Sequence, residues 1–138
     1  MGLDMYLKGE KFFWTDWEND ANNQKEDGYK LTEKFLELGY WRKHPNLHGF
    51  IVNTFANGND NCEKIRLEVE DLQKIIEAIE SKALPETSGF FFGKSYYGDK
   101  EEDDKLDRDT TEILKKAIEW ASSKEPRVIR SVFYRASW

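Results

Sequence analysis

The stretch Asp104–Ser123, DKLDRDTTEILKKAIEWASS, followed after a short break by Val128–Tyr134, VIRSVFY, decides the fold. In the first part Leu106, Thr110, Ile113, Leu114, Ala117, Ile118 and Ala121 recur at steps of three and four, which predicts one apolar stripe along a helix. In the second part β-branched and aromatic residues crowd together, and this predicts a strand that reaches Trp138. A long one-sided helix feeding a strand calls for a sheet with helices laid on it.

The same alternation of elements continues towards the N-terminus. Residues 1–14 read as a strand with Leu3, Met5 and Leu7 on one face and a bulge at Gly9. Residues 15–30 are polar and turn-prone, a surface loop with Trp14 and Trp17 at its base. A second strand is expected over 32–41. There Thr32, Lys34, Leu36, Leu38 and Tyr40 share one parity, and Phe35 and Trp41 take the other; a helix is the alternative, mildly disfavoured by Gly39. Pro45 suits the first position of a helix carrying Leu47, Ile51 and Phe55 to about Ala56, closed by Gly58. Cys62–Leu67 reads as a short strand with Ile65 and Leu67 inward. Val69, Leu72, Ile75, Ile76 and Ile79 predict a helix over 69–82 that Leu84-Pro85 ends. Gly89–Gly93 is either a buried strand or a turn. No βαβ regularity is present. The expected architecture is a single α+β domain over 1–138, a mainly antiparallel sheet with about three helices packed on one face.

Composition narrows the functional classes. Twenty of the 138 residues are Phe, Trp or Tyr, so the core is aromatic, and the excess also points to a homodimer interface. The net charge of −6 argues against a nucleic-acid partner gripped through its phosphates. The acidic run Asp99–Asp104 reads as a solvated face. Cys62 is the only cysteine, which excludes an internal disulfide and fits a reducing compartment. There is no apolar run of about 20 residues and the N-terminus lacks a signal-peptide pattern, so a cytosolic protein without a membrane partner is expected.

Two segments carry the candidate chemistry. Tyr40-Trp41-Arg42-Lys43-His44-Pro45-Asn46-Leu47-His48 places two aromatics, two cations and both histidines at a strand-to-helix junction. A helix start attracts anions; Arg42 and Lys43 would add charge there, and Tyr40 or Trp41 could stack on a base. The competing reading puts Tyr40 and Trp41 in the core and pairs Arg42 with surface carboxylates. His44 and His48 stand four apart, a spacing that suits a metal pair, but His44 falls at the N-cap and no cysteine or glutamate partner is near, so no metal is expected. His48 is the candidate general acid or base. In the second segment, Leu84–Asp99, three consecutive phenylalanines cannot all face one way, so at least one, taken as Phe91, faces another layer or a ligand. Thr87, Ser88 and Ser95 supply hydroxyls. Asn57-x-Asn59-x-Asn61 fails as a calcium loop, because Cys62 occupies the glycine position. No cofactor motif is present.

Taken together, Met1–Tyr6 (MGLDMY), Tyr40–Lys43 with His48, Asn61-Cys62, Leu84–Gly93 (LPETSGFFFG) and Tyr134–Trp138 (YRASW) resemble a family of small phage and prophage proteins. The resemblance spans nearly the whole chain. Some members carry Ala where His44 stands, which speaks further against a metal pair. It implies a phage accessory protein, a setting in which small proteins blunt host defence by trapping or cleaving nucleotide signals. The leading expectation is therefore a protein that binds and sequesters a nucleotide-derived or other anionic small molecule through Tyr40, Trp41, Arg42, Lys43, His48, Thr87, Ser88 and Phe91. The alternative is a phosphodiesterase-like hydrolase acting through His48. A third reading is an acidic protein that docks on a basic host factor.

Overall fold

A computed structural model describes residues 2–138; Met1, at the start of the first expected strand, lies outside the described residues. In chain order the elements are β1 (Asp4–Phe13), a 3₁₀ turn (Asp20–Asn22), β2 (Lys25–Glu26), β3 (Tyr29–Lys30), β4 (Glu33–Arg42), α1 (Pro45–Phe55), β5 (Ile65–Leu67), α2 (Val69–Glu80), α3 (Lys100–Ser122) and β6 (Val128–Ser137). The main sheet runs β4-β1-β6-β5 with every neighbouring pair antiparallel, and β2-β3 is a separate small hairpin. The fold class is α+β.

Strand alternation builds the core. Leu3, Met5 and Leu7 point to one side, as expected, and β6 adds Val132, Tyr134 and Ala136 to the same side. On that side α2 contributes Leu72, Ile75, Ile76 and Ile79, and α3 contributes Leu114 and Ala117. Burying a side chain of this size is worth roughly 1.5–3 kcal/mol, so this single cluster is the main stabilising element.

Three local features differ from the sequence reading. The bulge lies in β4 rather than at Gly9: Leu7 pairs with Gly39 and Lys8 with Glu37, which leaves Leu38 as the extra residue. Gly9 instead makes room for a ring, since a Cβ there would meet Trp120 at 2.7 Å. The polar loop 15–30 contains the β2-β3 hairpin. Asp27 and Gly28 both take positive φ, the conformation that a tight two-residue hairpin turn needs. The acidic run is not merely a solvated face: it opens α3, which begins at Lys100, six residues before Leu106, the first residue of its apolar stripe. Asp99 caps the helix by accepting the Glu101 and Glu102 N–H groups, and acids in a first turn favour the helix dipole. None of the described helices is long and apolar enough to cross a membrane.

Candidate functional site

The YWRK segment divides between the two faces of the sheet, because consecutive strand residues point to opposite sides. Trp41 enters the core, where its Nε1–H donates to Thr110 Oγ1 at 3.0 Å. Tyr40 and Arg42 lie on the opposite, open face. Tyr40 donates its hydroxyl proton to Asp4, and Arg42 Nη1 donates to the same carboxylate at 2.9 Å. The Tyr40 bond, seconded by Arg42, holds the Asp4 carboxyl below the usual range. Lys43 turns away again: its backbone takes a left-handed φ of 56°, its N–H donates to Leu3 O, and its stem lies against Gly93. These four residues therefore do not line one pocket. Tyr40 and Trp41 cannot sandwich a common base.

His48 is an interior residue, 2 % exposed. Its Nε2 lies 2.9 Å from Asp60 Oδ1, and its Nδ1 lies 2.6 Å from the Tyr134 hydroxyl. A carboxylate only accepts, so Nε2 carries the proton and Nδ1 accepts from Tyr134. Trp138 Nε1–H donates to the same Asp60 oxygen, and Phe92 packs edge-on against the ring. Both nitrogens are thus committed within the protein. His44 faces different partners, so the two histidines do not converge on a common point.

A cleft of about 780 Å³ opens where the 83–99 segment crosses the start of α1, the end of α2 and the first turns of α3. Thr87 and Ser88 line it, as do Lys94, Ser95 and Tyr96. Its back wall is a polar cluster that the sequence did not disclose. Asp107, buried in α3, accepts from Tyr96 Oη at 2.6 Å and from Lys82 Nζ at 2.9 Å. Burial, with that bond to Asp107, keeps the Tyr96 hydroxyl protonated far above its ordinary range. Ser95 Oγ accepts the Asn46 N–H at 3.0 Å, capping α1 from outside the helix, and lies 2.7 Å from His44 Nδ1. Burial pushes His44 down to about 4, so its ring is neutral at pH 7. The buried His44 Nε2 has no hydrogen-bond partner among the described residues.

Thr87, in the lining of the cleft, is fixed by its neighbours. Its N–H donates to Asn46 Oδ1 at 3.1 Å and its hydroxyl to Pro85 O at 3.1 Å. It also seats on Gly49 of α1, where an added Cβ would stand 2.0 Å from Thr87 Oγ1. The following Gly89–Phe92 turn closes with Phe92 N–H donating to Gly89 O. Phe92 is buried there, while Phe90 is 82 % and Phe91 47 % exposed. Phe91 holds a φ of 67°, a conformation costly for a bulky side chain. It lies outside the set of residues that line the cleft.

The cleft thus gathers Thr87, Ser88 and Ser95 of the residues singled out in the sequence and adds Asn46, Lys82, Lys94, Tyr96, Asp103 and Asp107. Asp103 and Asp107 look like ordinary solvent-facing charges in the sequence; only the packing of α3 beside α2 brings them to the wall. No family model matches the chain, and neither the curated proteins nor the solved structures compared with it contain a match.

Proposed function

We propose that the protein binds and holds a small anionic molecule of the nucleotide class in the cleft between the 83–99 segment and α3. The observation that carries this reading is the lining itself, in which Lys94 and the Ser88 and Ser95 hydroxyls share one cavity with Asp103, Asp104 and Asp107. Its volume of about 780 Å³ is that of a small-molecule site. The charges there are mixed, so a bare polyanion fits poorly. A ligand with one anionic group and several hydroxyl donors fits better, with its phosphate on Lys94 and the Ser88 hydroxyl and its sugar diol on the Asp103 and Asp104 carboxylates. Tyr96 offers a ring for one edge of a base. In the phage setting that the family resemblance implies, such a protein depletes a nucleotide signal by sequestering it.

The enclosure of the His48 ring and the hydrogen bonds at both its nitrogens speak against a hydrolytic role for it. The one observation favouring hydrolysis is the Ser95–His44 contact, a hydroxyl 2.7 Å from a neutral imidazole. Ser95 is only 7 % exposed and already accepts the Asn46 N–H, so holding is favoured over attack. Mass spectrometry separates the two readings. Pure protein is incubated with a panel of cyclic and linear nucleotides, filtered, and then denatured. Return of the depleted nucleotide intact supports binding; return of a cleaved product supports hydrolysis and overturns the sequestration reading.

A further inference from the structure

The helices cover one face of the sheet and leave the other open. Every strand residue that points to the open side is at least partly exposed, from Asp4, Tyr6, Lys8, Glu10 and Phe12 of β1 to Phe133 and Arg135 of β6. The pairing registers arrange this face in rows. Tyr40, Tyr6 and Arg135 form one row, Glu37, Lys8, Phe133 and Arg66 the next, and Glu33, Phe12 and Ile129 a third. A face left to solvent is ordinarily polar, and this one departs from that in two ways. Its middle strands, β1 and β6, carry Tyr6, Phe12, Ile129 and Phe133, so large apolar groups run along its centre. Its charges balance, but they are sorted by strand. On β4 and β1, Glu33, Glu37, Glu10 and Asp4 outnumber Arg42 and Lys8. On β6, β5 and the residues flanking β5, Arg135, Arg66 and Lys64 outnumber Glu68.

We infer that this face pairs with the same face of a second copy of the chain, about a two-fold axis that runs along the strands between β1 and β6. The sorting of charge selects that axis. Rotation about it lays β1 over β6 of the second copy and β4 over its β5, so the acid-rich half of each copy covers the base-rich half of the other. An axis across the strands would set β4 on β4, acid against acid. Along the rows, Phe12 meets Ile129 of the second copy, Lys8 meets its Phe133 ring, and Glu37 meets its Arg66. The strands of the two sheets then run nearly aligned, as in face-to-face packing of twisted sheets. The apolar groups lie near the axis and most of the charges on the outer strands, the centre and rim of a protein interface. Arg66 also pairs with Glu68 of its own chain at 3.0 Å, an exposed ion pair, and a guanidinium has donors enough for two carboxylates. The area is sufficient. Three strands of 10 residues each, spaced about 4.8 Å apart, cover about 500 Å², so two copies bury about 1,000 Å² before side-chain relief is counted, the lower bound of a specific interface. The net charge of −6 on each copy does not oppose the pairing at close range, because the Asp99–Asp104 run opens α3 on the other side of the sheet.

Sedimentation equilibrium over about 1 to about 100 μM protein tests this. Twice the mass of one chain is expected in the upper part of that range. Ile129→Glu buries a charge opposite Phe12 and should return the protein to the mass of one chain. Glu37→Arg and Arg66→Glu each set like charges face to face, twice in every dimer, and should each weaken dimerisation by at least about tenfold. Combined in one chain they exchange the two charges, and dimerisation should return to within about threefold of wild type. Within one copy β1 and β6 lie between these two positions, a span of about 14 Å that exceeds the screening length in physiological salt, so the rescue reports a contact between copies. Lys116→Gln on α3 changes a charge on the helical side and should leave dimerisation as it is. Circular dichroism confirms that each variant is folded. The mass of one chain at about 100 μM wild type overturns the inference. So does a dimer that survives Ile129→Glu, or a double variant that stays as weak as the single ones, which would move the contact to another surface such as the β4 edge. The cleft lies on the helical side, so its occupancy by a nucleotide stands or falls independently.

Discussion

Acidification should weaken this fold before its carboxylates titrate, and His44 sets the size of the effect. The ring is buried at the start of α1, and burial lowers its pKa from the ordinary 6.5 to about 4. Above pH 6.5 the imidazole is neutral in both folded and unfolded chains, so it contributes no pH dependence. As the pH falls below 6.5 the unfolded chain takes up a proton that the folded chain refuses, and stability is lost until about pH 4. Across the full window the loss is about 3 kcal/mol, at roughly 1.4 kcal/mol for each pH unit. By pH 5 it has reached about 2 kcal/mol, enough to lower a urea midpoint by roughly 1 M. The assay is urea unfolding followed by tryptophan fluorescence at pH 7.5 and pH 5.0, for wild type and for His44→Asn. The variant differs in absolute stability because it loses the ring, but only its pH slope matters. Wild type should lose about 2 kcal/mol more than the variant between the two pH values. Equal slopes would refute the burial argument, and a larger loss in the variant would reverse its sign.

Four further outcomes follow from the geometry. His48→Ala strands the Tyr134 hydroxyl and removes a donor from Asp60, and should cost about 2–4 kcal/mol in urea unfolding while leaving cleft binding measurable; unchanged stability would remove its interior role. Gly49→Ala forces a Cβ onto Thr87 and should cost about 1–3 kcal/mol, with faster proteolysis of the 83–99 segment as a second sign that Thr87 has been unseated. Trp41→Phe keeps an aromatic ring but loses both the bond to Thr110 and part of the buried indole volume, a loss of about 2–3 kcal/mol by thermal or urea unfolding. Arg42→Ala should leave nucleotide affinity unchanged, whereas Lys94→Ala should weaken it by about tenfold, both read by calorimetry; the reverse order would return the site to the strand end.

The architecture was legible where periodicity was strong. The stripes of α2 and α3 and the alternation in β1 each name a buried face, and the structure buries those faces. It was less legible where one residue breaks the count. Leu38 is an unpaired insertion, so the shared parity assigned to Leu36, Leu38 and Tyr40 does not survive it, and Tyr40 ends on the open face. The early start of α3 was hidden because its first turn is all charge, and its signal was the cap at Asp99 rather than any apolar residue.

The site was harder to read for a different reason. Tyr40 and Trp41 are neighbours in sequence, and in a strand that places them on opposite faces; proximity in the chain suggested a pocket that the pleat forbids. Thr87 and Ser88, two hydroxyls just before a glycine-bracketed aromatic run, stand out in the sequence, and both line the cleft. Lys82 and Asp107, separated by 25 positions, carry no local mark, and only the packing of α2 against α3 makes them a pair. The Phe90-Phe91-Phe92 run divides otherwise than expected: Phe92 is buried, while Phe90 and Phe91 are exposed and Phe91 lies outside the cleft.

The most direct test of the central claim is isothermal titration of the pure protein with a panel of nucleotides, each repeated with Lys94→Ala and followed by mass spectrometry of the recovered ligand. Saturable binding of at least one phosphate-bearing nucleotide is expected, with about tenfold weaker binding in the Lys94 variant and recovery of the ligand intact. Absence of binding across the panel, or binding that Lys94→Ala leaves untouched, would contradict it.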